Sequence, residues 1–321
     1  MIVSFPPLAA EAILTATLLL NSAMVAPPLT SSASASSSAA PAPALAPLQT
    51  TTNYEFGNGS VRIDNPMKIR DMILVEPRFL GAGGGGSVWA MKASLDPGIT
   101  GTDTGTDTDT SATGGSKKDV VVKISWSRST DSVRNECFVL NAMEQRGVSG
   151  VERCLGVADY RYDSNRIVIA MEPLVEDNDG EDSITSSLED LSPEVALVTA
   201  RKLATTMAQM IAAGVVTTDV QPLISRSTGD VLLIDMTEAR VMATATAMEA
   251  SSVGITDGDK ILTQAFCTEL LGLIPEALLD AASEAFWNEL RRIETNTGVL
   301  IPGEIRAILS ELPIAGAETF S

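Results

Sequence analysis

Gly81, Gly83, Gly86 and Val88 fit the spacing Gly-x-Gly-x-x-Gly-x-Val, in which missing Cβ atoms let backbone amides approach a phosphate closely. Four consecutive glycines also make a plain linker, so the chemistry has to be judged with the other residues on offer. There is no histidine anywhere. This removes histidine-activated Ser and Cys nucleophiles, His-containing zinc sites and imidazole general bases together. Any catalysis must run on carboxylates, lysine or bound metal.

Two common phosphate-binding glycine loops do not fit. A Walker loop needs Lys and Ser/Thr directly after its last glycine, but Ser87 and Val88 follow Gly86. A dinucleotide fingerprint needs a helix from the third glycine and an acid about 20 residues further on. Here only Val88 to Leu95 precede Asp96 and Pro97, which favours a strand after the loop.

The elements that must position such a site are legible in part. Val120–Ile124, Ile167–Met171 and Val231–Ile234 are short, β-branched runs bounded by turn residues, as buried strands are. Ser192, Pro193 and Glu194 supply an N-cap, a proline at the first helical position and an acid in the first turn. Ala200, Leu203, Met207, Met210 and Ile211 then keep to one face and Gly214 supplies the stop. Strands concentrate in the first half of the chain and helices in the second.

The order of motifs resembles the protein kinases. After the glycine loop come Lys123 in its aliphatic strand, Glu136 thirteen residues on in a predicted helix, and Met171 and Glu172 closing a strand. Thr217 to Pro222 with Asp219 follow the long helix, and Asp235, sixteen residues beyond Asp219, ends the last strand. The resemblance runs from about Ile73 to Leu312. It implies an α+β, bilobal protein-kinase-like fold with a β-rich N-lobe and a mainly helical C-lobe.

It also implies ATP and Mg²⁺ as ligands. Gly81, Gly83, Gly86 and Val88 would cover the nucleotide, with Glu172 at the hinge between lobes. Lys123 would grip the α- and β-phosphates while Glu136 holds it in place; Asp219 would orient and deprotonate an acceptor hydroxyl, and Asp235 would coordinate Mg²⁺. The plain alternatives are a strand-edge lysine, a solvated helix acid and carboxylates that cap a turn or a strand end.

The departures bear on activity. Thr217 and Thr218 replace the family His and Arg, Gln221 replaces a lysine near the γ-phosphate, and Ile224 stands where a second metal-binding Asn belongs. An aliphatic side chain cannot ligate Mg²⁺. Met236 and Thr237 replace Phe-Gly after Asp235, and no Ala-Pro-Glu motif closes the following segment. Asp259 matches either a family aspartate that braces the catalytic loop or a helix N-cap. Two readings follow: a phosphotransferase acting on a hydroxyl, most readily a protein Ser or Thr, or a pseudokinase that binds nucleotide or a protein partner.

Composition bounds the rest. A hydrophobic content of 45% in 321 residues supports a substantial core. A formal net charge of -19 argues against nucleic acid or an anionic membrane as partner. Ala9–Val25 is an apolar run broken by Glu11, and Pro27–Thr52 is an uncharged Ala/Ser/Pro/Thr-rich stretch that cannot repay chain ordering. Residues 1–52 are therefore read as a targeting sequence, for a plastid or the secretory route, or as a disordered extension of a cytoplasmic protein, with no stable membrane span.

The kinase-like domain is placed at 67–314, with an N-lobe at 67–172 and a C-lobe at 173–314. A flexible Thr/Asp/Gly insertion, 97–118, interrupts the N-lobe. Its acids Asp103, Asp107 and Asp109 lack the spacing of an EF-hand. Cys137, Cys154 and Cys267 are widely spaced and odd in number, which predicts buried, reduced thiols.

Overall fold

A computed structural model of the chain describes residues 50–57, 59–95, 118–173, 184–242 and 255–313. The apolar run before residue 27, the proposed insertion up to Lys117 and the end of the segment after Asp235 lie outside the described residues.

The first half is built on a six-stranded antiparallel sheet. Its strands are β3 (Met67–Ile69), β4 (Met72–Ala82), β5 (Gly86–Leu95), β6 (Lys118–Ser125), β7 (Cys154–Asp159) and β8 (Ile167–Met171), in the order β3-β4-β5-β6-β8-β7. β6 alternates Val120, Val122 and Ile124 inward on one face, the period of two that a half-buried strand requires. Helix α1 (Thr130–Gln145) leaves β6 and packs Val133, Cys137, Leu140 and Met143 inward, at the spacing of one helical face.

An additional hairpin precedes the sheet. β1 (Thr50–Phe56) and β2 (Gly59–Asn65) pair antiparallel, and Val61 and Ile63 are buried in the same core as Trp89, Val122 and Ile124. The sequence places the domain start at 67; among the described residues, structure packed on the lobe is already present from Thr50. The polar composition of this stretch hides it, because only alternate residues of β2 face the core.

The second half is mainly helical. α2 (Pro193–Ala212) starts at Ser192, whose hydroxyl accepts from the Val195 amide at 3.4 Å, and Gly214 adopts φ 65° past its end. Around it lie α3 (Asp257–Gly272), α4 (Leu279–Thr297) and α5 (Gly303–Glu311). Phe266, Leu270, Phe286 and Leu290 pack with Leu203 and Met207 of α2 in one core. Short strands β9 (Ile184–Thr185), β10 (Val215–Val216), β11 (Gln221–Ser225), β12 (Val231–Ile234) and β13 (Arg240–Val241) form two small sheets, β12-β11-β9 and β10-β13. The expected α+β architecture, β-rich first and helical second, is the one observed.

The cysteine expectation holds for only one of three residues. Cys267 is free and wholly buried, and burial pushes its thiol up to about 12. Cys137 and Cys154 instead form a disulfide, with Cα atoms 5.3 Å apart, that joins α1 to β7. Among the described residues no single helix is long and apolar enough to cross a membrane.

Candidate active site

The glycine run forms the turn between β4 and β5. Gly81 pairs with Val88, and the Gly83 amide donates to the Gly86 carbonyl at 2.9 Å, leaving Gly84 and Gly85 at the tip. A Cβ on Gly86 would collide with the Ile124 carbonyl oxygen, so this position demands glycine for close backbone approach. A Cβ on Gly85 would stand 3.8 Å from Lys123 Nζ, which places the loop tip beside that ammonium. The expected strand after the loop is present as β5.

Lys123 joins the two halves of the molecule. Its Nζ donates to Glu136 Oε2 at 2.9 Å and to Asp235 Oδ1 at 2.8 Å. Glu136 is wholly buried, and Lys123 is 6% exposed. Burial works against the lysine's charge, but Glu136 and Asp235 outweigh it and hold the ammonium well above its usual range. The strand-edge reading of Lys123 and the solvated reading of Glu136 are thereby excluded.

Asp235 sits at the end of β12 with φ 58° and ψ 58°, a left-handed conformation that a non-glycine residue adopts only when held. Its Oδ1 accepts from Lys123 and from Thr237 Oγ1 at 2.9 Å, and its amide donates to Glu152 Oε1 at 2.9 Å. Burial opposes ionisation of Asp235, yet the Lys123 ammonium and the bonds from Lys123 and Thr237 prevail and hold it below the usual carboxylate range.

Glu152 was not anticipated, and it is central. It is 7% exposed, accepts from the Asp235 amide and lies close enough to Glu136 for the two carboxyls to interact. Burial and then the neighbouring Glu136 charge push it well above the ordinary range. No motif marks it. The Glu152 amide donates to the Leu233 carbonyl and the Leu233 amide to the Gly150 carbonyl, so residues 150–152 run beside β12 and bring the side chain to Asp235.

Asp219 lies between β10 and β11, half-buried. Thr217 is buried, and its hydroxyl accepts from the Asp219 amide at 3.3 Å. Gln221 Nε2 donates to Asp219 Oδ2 at 2.8 Å. Burial raises the Asp219 carboxyl; the Gln221 bond lowers it again, while Asp235 and Lys123 act on it from across the site with opposite sign. Asp219 is thus within electrostatic reach of the Lys123 cluster.

Three other expectations are resolved locally. Ile224 is fully buried in β11 and pairs with Val231. Asp259 is not the N-cap of α3 but its third residue, closing a capping box with Thr256, which is the N-cap, and Glu269 of α3 meets the loop by accepting from the Val220 amide at 3.4 Å. The Glu172 side chain is bound to Lys118 at 2.6 Å and Arg153 at 3.6 Å, and its amide donates to the Arg153 carbonyl at 2.9 Å.

The loop tip and the Asp235 carboxylate are the groups that could meet a nucleotide and its metal ion. No hydrogen bond from the Gly84 or Gly85 amide is present among the described residues. Among the described residues no group of three or more His, Cys, Asp or Glu is arranged to hold a metal. Asp235 is the residue that would hold a Mg²⁺ ion, supplying one carboxylate ligand.

No protein-family model and no curated protein matches the sequence. Solved structures do resemble it. A double mutant of the Mycobacterium tuberculosis PknI kinase domain aligns with a TM-score of 0.39 at 15% identity, covering 78% of this chain and 97% of that one. The M. tuberculosis PknI kinase domain itself aligns with a TM-score of 0.38 at 14% identity, over 66% and 75% of the two chains.

Proposed function

We propose that this chain is an ATP-binding, protein-kinase-like phosphotransferase that moves the γ-phosphoryl group of ATP to a hydroxyl acceptor, most readily a protein Ser or Thr. The observation that carries the reading is the Lys123 ammonium held between Glu136 and Asp235 beside the glycine-loop tip. A cation fixed there is set to meet phosphate oxygens. Catalysis of this kind is mostly positioning and charge stabilisation.

In this reading Lys123 holds the α- and β-phosphates, and Glu136 keeps the ammonium from swinging to solvent. Asp235 would hold Mg²⁺, which when bound screens the phosphate charges. Asp219 accepts the proton of the acceptor hydroxyl, and burial that raises its carboxyl strengthens it as a base. Gln221 occupies one Asp219 oxygen, leaving the other for the acceptor.

The test is thermal unfolding with and without MgATP, because a ligand that binds only the folded state raises its apparent stability. A shift that requires Mg²⁺ and disappears in Asp235→Ala supports the nucleotide site. Phosphotransfer that survives Asp219→Asn unchanged in purified protein sinks the enzyme reading.

Ile224 and Gln221 favour a second reading, a pseudokinase whose nucleotide site serves binding. Ile224 is committed to the core and can hold no second metal, and Gln221 cannot neutralise a γ-phosphate. Transfer to any acceptor above a Lys123→Met control counts against this alternative.

The Cys137–Cys154 disulfide supports an oxidising compartment, and of the expected destinations that favours the secretory route. N-terminal sequencing of the mature protein, with thiol counting in cell extracts, tests the assignment.

A further inference from the structure

The glycine-loop turn is not held by its own strands alone. The Trp126 indole Nε1 donates to the Gly83 carbonyl at 2.8 Å, Ser129 Oγ donates to the Gly84 carbonyl at 3.0 Å, and the Trp126 amide donates to the Gly85 carbonyl at 3.1 Å. Three successive carbonyls are thus drawn toward the segment that leads into α1. In a planar trans peptide the carbonyl and the following N–H point in opposite directions. The amides of Gly84, Gly85 and Gly86 consequently face away from Trp126 and Ser129, and successive amides turned to one side make an anion-binding concavity.

Trp126 is itself fixed. It is 3% exposed, with the Arg166 guanidinium 5.3 Å from its ring centroid and the Phe56 ring 5.9 Å away. Arg166 donates to the Ser125 carbonyl at 2.6 Å and the Ser60 carbonyl at 2.8 Å, which ties the β1–β2 hairpin to the same spot. A Cβ added to Gly59 would touch the Trp126 ring at 3.7 Å. The hairpin therefore backs the tryptophan, and the tryptophan backs the loop.

We infer that Trp126, assisted by Ser129, is a positioning residue of the nucleotide site: it anchors the glycine-loop carbonyls so that the loop amides are presented to phosphate oxygens before ligand arrives. The inference rests on the nucleotide reading above and adds to it a residue outside the glycine motif. It also gives the hairpin, which lies before the motif region, a part in the site. Trp126 touches no substrate in this account and acts only through the loop.

The experiment compares native full-length protein with Trp126→Phe, which removes the indole N–H and keeps an aromatic ring against Arg166 and Phe56. Calorimetric titration is run with MgATP and with adenosine, which lacks phosphate. Loss of one neutral hydrogen bond from the preorganised loop should weaken MgATP binding about fivefold, while adenosine affinity stays within about twofold. Ser129→Ala should act in the same direction to a smaller extent, and serves in place of Trp126→Phe if that variant does not fold.

Unchanged MgATP affinity in a folded variant overturns the inference. So does an equal loss for both ligands, since general loosening of the lobe would not discriminate phosphate. The underlying reading fails separately: native protein that binds no MgATP overturns the nucleotide site itself, and the inference with it.

Discussion

Lys123 Nζ lies 2.8 Å from Asp235 Oδ1, a contact between residues 112 positions apart that ties the large sheet to the end of β12. With Glu136 on its other side, the ammonium is already neutralised by two carboxylates before any phosphate is present. A nucleotide at this site would share the cation with Asp235, and its metal would have to take over part of the compensation of that carboxylate.

Replacing Lys123 with Met should therefore have two separable effects. The MgATP-dependent rise in unfolding temperature should vanish, and the ligand-free protein should lose about 3 kcal/mol, the usual cost of stranding a buried ionic partner. Urea unfolding reads the second effect. A variant as stable as native protein would mean that Glu136 and Asp235 find other compensation.

Glu152 predicts a pH dependence of definite sign. Burial, followed by the Glu136 charge, raises its carboxyl well above the usual range in the folded state. A group of this kind stabilises the fold fully below its unfolded pKa, about 4.3. The contribution is lost as pH rises toward the folded pKa. Glu152→Gln is neutral at every pH and keeps a carbonyl acceptor for the Asp235 amide. Its urea midpoint should match native protein in acid and exceed it increasingly as pH rises above the unfolded carboxyl range. Parallel curves would mean that the Glu152 carboxyl is not raised in the folded state.

Thiol counting checks the cysteine pairing. Denatured protein should show one reactive thiol without reductant, Cys267, and three with it. Native Cys267 should resist alkylation, because its sulfur is wholly buried. Replacing Cys137 and Cys154 with serine should cost about 3 kcal/mol, the loop-closure value for a span of this length. Three thiols in the unreduced, denatured chain would dissolve the bond.

The hairpin should contribute to the stability of the lobe it covers. Ile63 is 1% exposed, so Ile63→Ala should destabilise by about 3 kcal/mol through lost burial and an unfilled cavity. Chemical denaturation measures this directly. A change below about 0.5 kcal/mol would show the hairpin to be an unimportant attachment.

Much of the local structure was legible in the residues. The strands at Val120–Ile124, Ile167–Met171 and Val231–Ile234 and the helix after Ser192 follow from side-chain branching, a capping hydroxyl and a glycine stop, all of which act within a few residues. The order of the glycine loop, Lys123, Glu136, Asp219 and Asp235 was likewise readable. Lys123, Glu136 and Asp235 sit within or at the end of elements whose type the neighbouring residues dictate, and the glycine run and Asp219 in the turns between such elements.

Only the tertiary structure brought in the partners that hold those groups. Glu152 reaches the Asp235 amide across 83 residues, Glu269 reaches the Val220 amide across 49, and Trp126 reaches Gly83 across 43. Cys137 finds Cys154 because α1 and β7 bring their Cα atoms to 5.3 Å, and a spacing of 17 residues carries no sign of this. The hairpin before Met67 packs because β2 turns Val61 and Ile63 into a core supplied by strands far along the chain. Local physics selects helix, strand and turn, because caps, branching and glycine act on the nearest backbone. Which buried carboxylate, sulfur or indole meets which partner is decided by how those elements pack, and that packing leaves no periodicity in the sequence.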